Sequence, residues 1–168
     1  MTKRRILLFT TVIMCLLYAA CKQERDPCLQ PVTVAAKLGT YKATETDTGV
    51  VIGDSLLPAA TIAVLDSPLA FVYGEPGKSK FTNIILSPHS DSTRIFIQPD
   101  SVRKSSLDRD TITFYYNRQL HFISNACGYT NYYSIYDVKS TNYNIDSVKL
   151  TNGSVSNDAN IENVKIYY

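Results

Sequence analysis

Thr111-Ile112-Thr113-Phe114-Tyr115-Tyr116, then Asn117-Arg118, then Gln119-Leu120-His121-Phe122-Ile123 is the stretch that decides the fold. Ile112, Phe114 and Tyr116 fall on one side of a period-two repeat, and Thr111, Thr113 and Tyr115 on the other. That alternation is the mark of a pleated strand with one covered face. Its β-branched and aromatic residues suit such a surface. Asn117-Arg118 reads as a tight link between two strands, so the stretch is expected to form a β-hairpin.

The same pattern extends in both directions. Strands are expected at Val32–Thr44, Gly49–Leu57, Thr61–Leu65, Leu69–Tyr73, Phe81–Leu86 and Thr93–Gln98. Beyond the hairpin they are expected at Tyr132–Lys139, Ile145–Thr151 and Val164–Tyr167. Gly, Pro, Asn and Asp punctuate the gaps, as at Gly74-Glu75-Pro76-Gly77. No window of ten or more residues carries a 3.6-residue period, so no helix is predicted. All seven prolines lie at or before Pro99. The second half is therefore expected to supply the central strands, and the first half edges and long loops. The fold class is all-β: an antiparallel β-sandwich of Ig-like or Greek-key type, with a partly open barrel as the alternative.

The 168 residues are enough for one domain with a core. At 19% charged and 45% hydrophobic residues, wholesale disorder and a long coiled coil are excluded. The formal charge of +2 owes much to Lys3, Arg4 and Arg5. Without residues 1–20 the chain holds 14 Lys and Arg against 15 Asp and Glu, and no basic run exceeds two residues. Nucleic acid is not an expected partner.

Residues 1–20 have the build of a signal peptide: a basic start, then an apolar run from Ile6 to Leu17, then Ala19-Ala20. Leu17-Tyr18-Ala19-Ala20-Cys21 resembles a bacterial lipobox. That resemblance implies cleavage before Cys21 and acylation of its sulfur, an anchor that needs no membrane span. The alternative is an ordinary leader that leaves Cys21 a plain thiol. Residues 21–31 read as a tether and 32–168 as one β-sandwich domain. Lys22-Gln23-Glu24-Arg25-Asp26-Pro27 resembles export tethers of Bacteroidota surface lipoproteins, and reads equally as a solvated linker.

Of the four cysteines, Cys15 lies in the leader and Cys21 is assigned to the lipid, which leaves Cys28 and Cys127. Two thiols in an exported domain favour a disulfide. The absence of a Cys-x-x-Cys pair or a cysteine–histidine cluster argues against a reactive or metal-binding role. No metal and no cofactor are expected.

Catalytic signals are sparse. His89 lies in the turn Pro88-His89-Ser90-Asp91, and His121 alternates with Leu120 and Phe122 so as to face solvent. Neither forms a recognisable dyad with a nucleophile. Asp158-Ala159-Asn160-Ile161-Glu162 faintly suggests a calcium loop but lacks its glycine and its later glutamate. No phosphate loop or dinucleotide fingerprint is present. The protein is expected not to be an enzyme.

Two patterns remain. Asp followed by Ser or Thr and then an aliphatic residue or Thr occurs at Asp54-Ser55, Asp91-Ser92, Asp100-Ser101, Asp110-Thr111 and Asp146-Ser147. The pattern resembles the O-glycosylation acceptor of exported Bacteroidota proteins, which makes Ser55, Ser92, Ser101, Thr111 and Ser147 candidate acceptors. The competing reading is a turn handing over to a strand. Tyrosine is enriched near the C-terminus, and Tyr129, Tyr132, Tyr133 and Tyr136 form a local group. An apolar body with a polar tip suits a contact surface, so these four are candidate partner contacts. Sheet filling and rim packing are the favoured competing reading.

Cys21 and Cys28, Asp110-Thr111-Ile112-Thr113-Phe114-Tyr115-Tyr116, Phe122-Ile123-Ser124-Asn125-Ala126-Cys127-Gly128-Tyr129 and Asn163-Val164-Lys165-Ile166-Tyr167 together resemble a family of uncharacterised Bacteroidota lipoproteins, domain of unknown function 6452. The resemblance implies a lipid-anchored all-β domain and supplies no catalytic residue. The resulting expectation is a non-enzymatic outer-membrane lipoprotein, an accessory module for an envelope partner such as an outer-membrane barrel. A surface module that binds glycan or peptide is the alternative.

Overall fold

The computed structural model describes residues 27–56, 60–65, 72–73, 80–98 and 109–168. Eleven strands and no helix lie within them: β1 (Ala36–Thr46), β2 (Gly49–Asp54), β3 (Thr61–Val64), β4 (Val72–Tyr73), β5 (Phe81–Ile84), β6 (Ser92–Gln98), β7 (Asp110–Ser124), β8 (Gly128–Ser140), β9 (Ser147–Leu150), β10 (Ser154–Val155) and β11 (Val164–Tyr167). They form two sheets. One runs β2-β1-β11-β9, with β5 also paired to β1; the other runs β10-β8-β7-β6-β3-β4. The inner faces meet in one apolar core. Ala36, Leu38, Ile84, Leu86, Val164 and Ile166 come from the first sheet's side; Ile62, Ile95, Ile97, Ile112, Phe114, Tyr116 and Ile135 come from the second. The architecture is an all-β sandwich.

Three details depart from the sequence expectation. The hairpin link at Asn117-Arg118 does not exist: β7 passes straight through it and turns only at residues 125–127, before pairing with β8 as far as Ser124↔Gly128. Both residues are polar, but neither is a glycine, which a two-residue primed turn favours. Gly128, at φ 73°, supplies the left-handed residue on the other side of the real turn. The first half is also not merely edges. β1 is flanked by β11 on one side and by β5 and β2 along successive halves of the other. The first half's prolines all fall outside Ala36–Thr46, so nothing breaks that ladder. Finally, β1 pairs with β11 in parallel, Leu38↔Val164 through Tyr41↔Tyr167, within otherwise antiparallel sheets. The short β10 carried too little pattern to be read in advance.

Two buried polar residues hold loops against these sheets. Asp110 is fully buried, and its carboxylate accepts from Thr141 Oγ1 and from the backbone N–H groups of Tyr143, Asn144 and Ile145, all within 2.7–3.0 Å. It thus fixes the β8–β9 connection to the first residue of β7. The Asn163 side chain accepts from Lys37 N–H and donates to the carbonyls of Asn152 and Ser154, joining β1 to the β9–β10 turn. Buried groups satisfied this completely cost little and specify one arrangement.

Candidate functional site

The outer half of the β7–β8 pair is where the chain departs from an ordinary sandwich. β6 pairs with β7 only as far as Ser92↔Tyr115, and β10 reaches β8 only at Tyr133 and Ser134. Beyond Arg118↔Tyr133 the pair continues as a two-stranded ribbon. The burial of β7 changes abruptly at this point. Asp110, Ile112, Phe114 and Tyr116 are buried, whereas every residue from Asn117 to Phe122 is exposed.

A register shift between Tyr115 and Tyr116 leaves Tyr136 as the extra residue of a β-bulge on β8. β7 itself keeps its alternation through the bulge. Arg118, Leu120 and Phe122 therefore continue the core face of Phe114 and Tyr116, but outside the core. Phe122 stands opposite Tyr129 with ring centroids 5.1 Å apart. Leu120, Phe122 and Tyr129 are 66%, 48% and 66% exposed. The outer face of the β7–β8 pair carries a second aromatic series, which runs from the ribbon back to where β6 lies alongside. His121 stacks on Tyr132 at 4.2 Å, Tyr115 lies 6.4 Å from Tyr136, and Lys139 sits over the Tyr115 ring.

The tyrosine group is thus divided by the sheet. Tyr133 belongs to the core: it is 7% exposed, meets Tyr116 edge to face, and donates to the carbonyl of Leu86. As a contact residue it is corrected, because its place opposite Arg118 on the inner face puts it beneath the first sheet's β5 side. Burial raises the hydroxyl pKa of both Tyr133 and Tyr116. Tyr129 lies on the inner face of the ribbon; Tyr132, half-buried, and the bulge residue Tyr136 lie on the outer face of the β7–β8 pair.

Cys28 and Cys127 are joined, S–S 1.96 Å, across a sequence separation of 99. Cys127 is the last residue of the ribbon turn, so the bond ties the beginning of the described chain to the ribbon's tip. The following segment then lies along the ribbon. Thr130 Oγ1 donates to the Val32 carbonyl, and Tyr132 donates to Asn157, whose amide reaches the Pro31 carbonyl.

The other sequence candidates fall as follows. Cys21, residues 1–20, the start of the tether, Ser101 and Gly74-Glu75-Pro76-Gly77 lie outside the described residues. Ser92, Thr111 and Ser147 stand at or next to the first residue of β6, β7 and β9, each preceded by its Asp, while Ser55 follows the last residue of β2. Three of those aspartates have structural partners: Asp54 pairs with Lys80, Asp91 with Arg118, and Asp110 holds its loop. The geometry thereby supplies a folding reason for the Asp-Ser/Thr pattern. Asp158 accepts from the Asn160 backbone and Glu162 accepts from the Tyr41 hydroxyl, so both are engaged within the fold. Among the described residues no group of three or more His, Cys, Asp or Glu could hold a metal, and His89 and His121 lie apart in sequence and element.

Leu120 and Phe122 were missed as surface residues. Their only signal was the strand alternation, which cannot tell a covered face from an open one. Neither the curated proteins nor the solved structures offered a match to this sequence. The model of DUF6452, a family of unknown function, matches residues 69–168, which include β7, β8, the ribbon and β11. Spanning more than half of the sequence, that match makes the chain a member of the DUF6452 family.

Proposed function

We propose that this protein is an envelope lipoprotein of Bacteroidota type, acylated at Cys21, that acts without catalysis as an accessory module for an outer-membrane protein. The observation that carries the reading is the Cys28–Cys127 bond. A disulfide closing so long a loop belongs to an oxidising compartment, and here it joins the segment next to the lipobox-like cysteine to the exposed ribbon. The contact surface is the outer aromatic face of the β7–β8 pair, His121 and Tyr136 with Tyr115, and Tyr132 half-buried among them. Aromatic residues with few charges are the composition that interface centres favour.

The test is photo-crosslinking in intact cells, with a photoreactive residue in place of Tyr136 or Tyr132. The expected outcome is a defined adduct with one envelope protein. The same probe at Tyr143, on the connection after β8, gives none. Failure to recover any envelope protein from Tyr132 and Tyr136 overturns the accessory reading. A second reading, a module that holds a sugar or peptide, draws on the shallow depression lined by Asn117, Arg118, Gln119, Tyr132, Tyr133, Ser134 and Ser154. Saturable tyrosine fluorescence change with soluble oligosaccharide would favour it.

A further inference from the structure

We infer that the inner face of the ribbon tip, Leu120, Phe122 and Tyr129 together with Leu29, rests in the lipid interface of the membrane to which the chain is anchored. This rests on the acylation of Cys21 proposed above and deepens it, since it says which end of the domain meets the bilayer.

Four observations converge. Leu29 is 88% exposed and adjoins Cys28, whose disulfide places it at the tip. Leu120, Phe122 and Tyr129 are exposed on one face of the same ribbon, with Phe122 and Tyr129 in contact. The 18 residues from Gln119 to Tyr136 contain no Asp, Glu, Lys or Arg, in a chain that is 19% charged. Last, Cys28 comes only seven positions after Cys21, with six residues between them. A fully extended chain spans at most ~3.3–3.6 Å per residue, so an acylated Cys21 holds the tip within about 25 Å of the lipid.

An uncharged ribbon held that close loses little on entering the headgroup region, because no ion must be desolvated. Aromatic rings with polar tips are the side chains that membrane interfaces select. The ladder bonds between β7 and β8 satisfy about half of the ribbon's backbone groups, and the contact is confined to the shallow interface, which remains wet enough for the outward-facing half. The exposed valines and isoleucine of β2 do not fit this role. Val50, Val51 and Ile52 pair with the far end of β1, among Lys42, Glu45 and Asp47.

The chain has no tryptophan, so one introduced residue reports alone. The experiment uses the native, mature protein carrying Phe122→Trp, Tyr129→Trp or Val51→Trp, in phosphatidylethanolamine–phosphatidylglycerol vesicles with and without brominated acyl chains. Mass spectrometry of the leading peptide is read on the same material. With the ribbon in the interface, emission at positions 122 and 129 falls about two-fold on brominated vesicles, and at position 51 it changes by less than about a tenth. No quenching at 122 and 129, or equal quenching at 51, on protein with acyl mass at Cys21 overturns the ribbon contact and leaves the anchor standing. Absence of acyl mass overturns the anchor. Quenching at 122 then still supports the ribbon contact, and its absence overturns that too.

Discussion

The two halves of β7 are the same strand with different fates. From Asp110 to Tyr116 its inward residues are buried; from Asn117 to Phe122 none is. Both halves alternate, both carry aromatics, and both pair with β8, from Ile112 onward. The difference is cover. The inner half has the first sheet over one face and β6 alongside, and the outer half has neither. A strand's chemistry therefore makes it a strand, while its neighbours decide whether an apolar face becomes core or surface.

The sharpest way to break this comparison is to truncate one aromatic in each half. Phe114→Ala is expected to cost about 3–5 kcal/mol of unfolding free energy, because it leaves a cavity in a closed core. Phe122→Ala, removing an exposed ring, costs below about 1 kcal/mol. Denaturant unfolding of the mature chain reads both, and equal losses would refute the division. Asp110→Ala tests what fixes the inner half. It strips a buried acceptor from three backbone N–H groups and should cost roughly 3 kcal/mol, with faster amide exchange across residues 141–145.

Removing the disulfide, as Cys28→Ser with Cys127→Ser, should cost about 2–4 kcal/mol. Amide exchange should speed up most in the outer half, at Leu120–Tyr132, and least around Phe114. Uniform acceleration would mean that the bond supports the whole fold and not the ribbon. Gly128→Ala is smaller, about 1–2 kcal/mol for a left-handed residue given a Cβ. Open space surrounds that position, so backbone strain alone is being measured.

The smallest effect at neutral pH is titration of the buried hydroxyls. Burial raises Tyr116 and Tyr133 above the ordinary 10.0, and burial with the Glu162 bond raises Tyr41. A raised folded-state pKa means that the native state keeps its proton longer than the unfolded chain does. Stability from these groups is therefore whole below pH 10 and falls as pH rises above it. The unfolding midpoint is expected to stay flat with respect to these groups up to about pH 9.5 and then decline. Tyr116→Phe should reduce the decline.

Much of this was legible in advance. Period-two runs located ten of the eleven strands, including β1, β6 and β11, because each strand buries one face. Cys28 and Cys127 could be paired by elimination. What could not be read is where neighbours stop. Asn117-Arg118 resembled a turn because polar residues interrupt an apolar series. In the fold Arg118 instead pairs with Asp91 and donates to the Pro88 carbonyl, at the margin where the covered half ends. Asp110 looked like part of a modification pattern, since its loop lies thirty residues away in sequence. Tyr133 and Tyr136 stand three apart, so alternation puts them on different faces; which of the two faces is covered was set by the first sheet and could not be read.

The parallel seam between β1 and β11 has a consequence for how the molecule comes into being. Its first sheet is stitched from the two extremes of the described chain, Leu38–Tyr41 lying beside Val164–Tyr167. However early β1 emerges, its neighbour on that side lies more than 120 residues further along the chain. A growing or threading polypeptide cannot complete this layer, and must keep the apolar β1 unpaired along that edge until Val164–Tyr167 are free to join it.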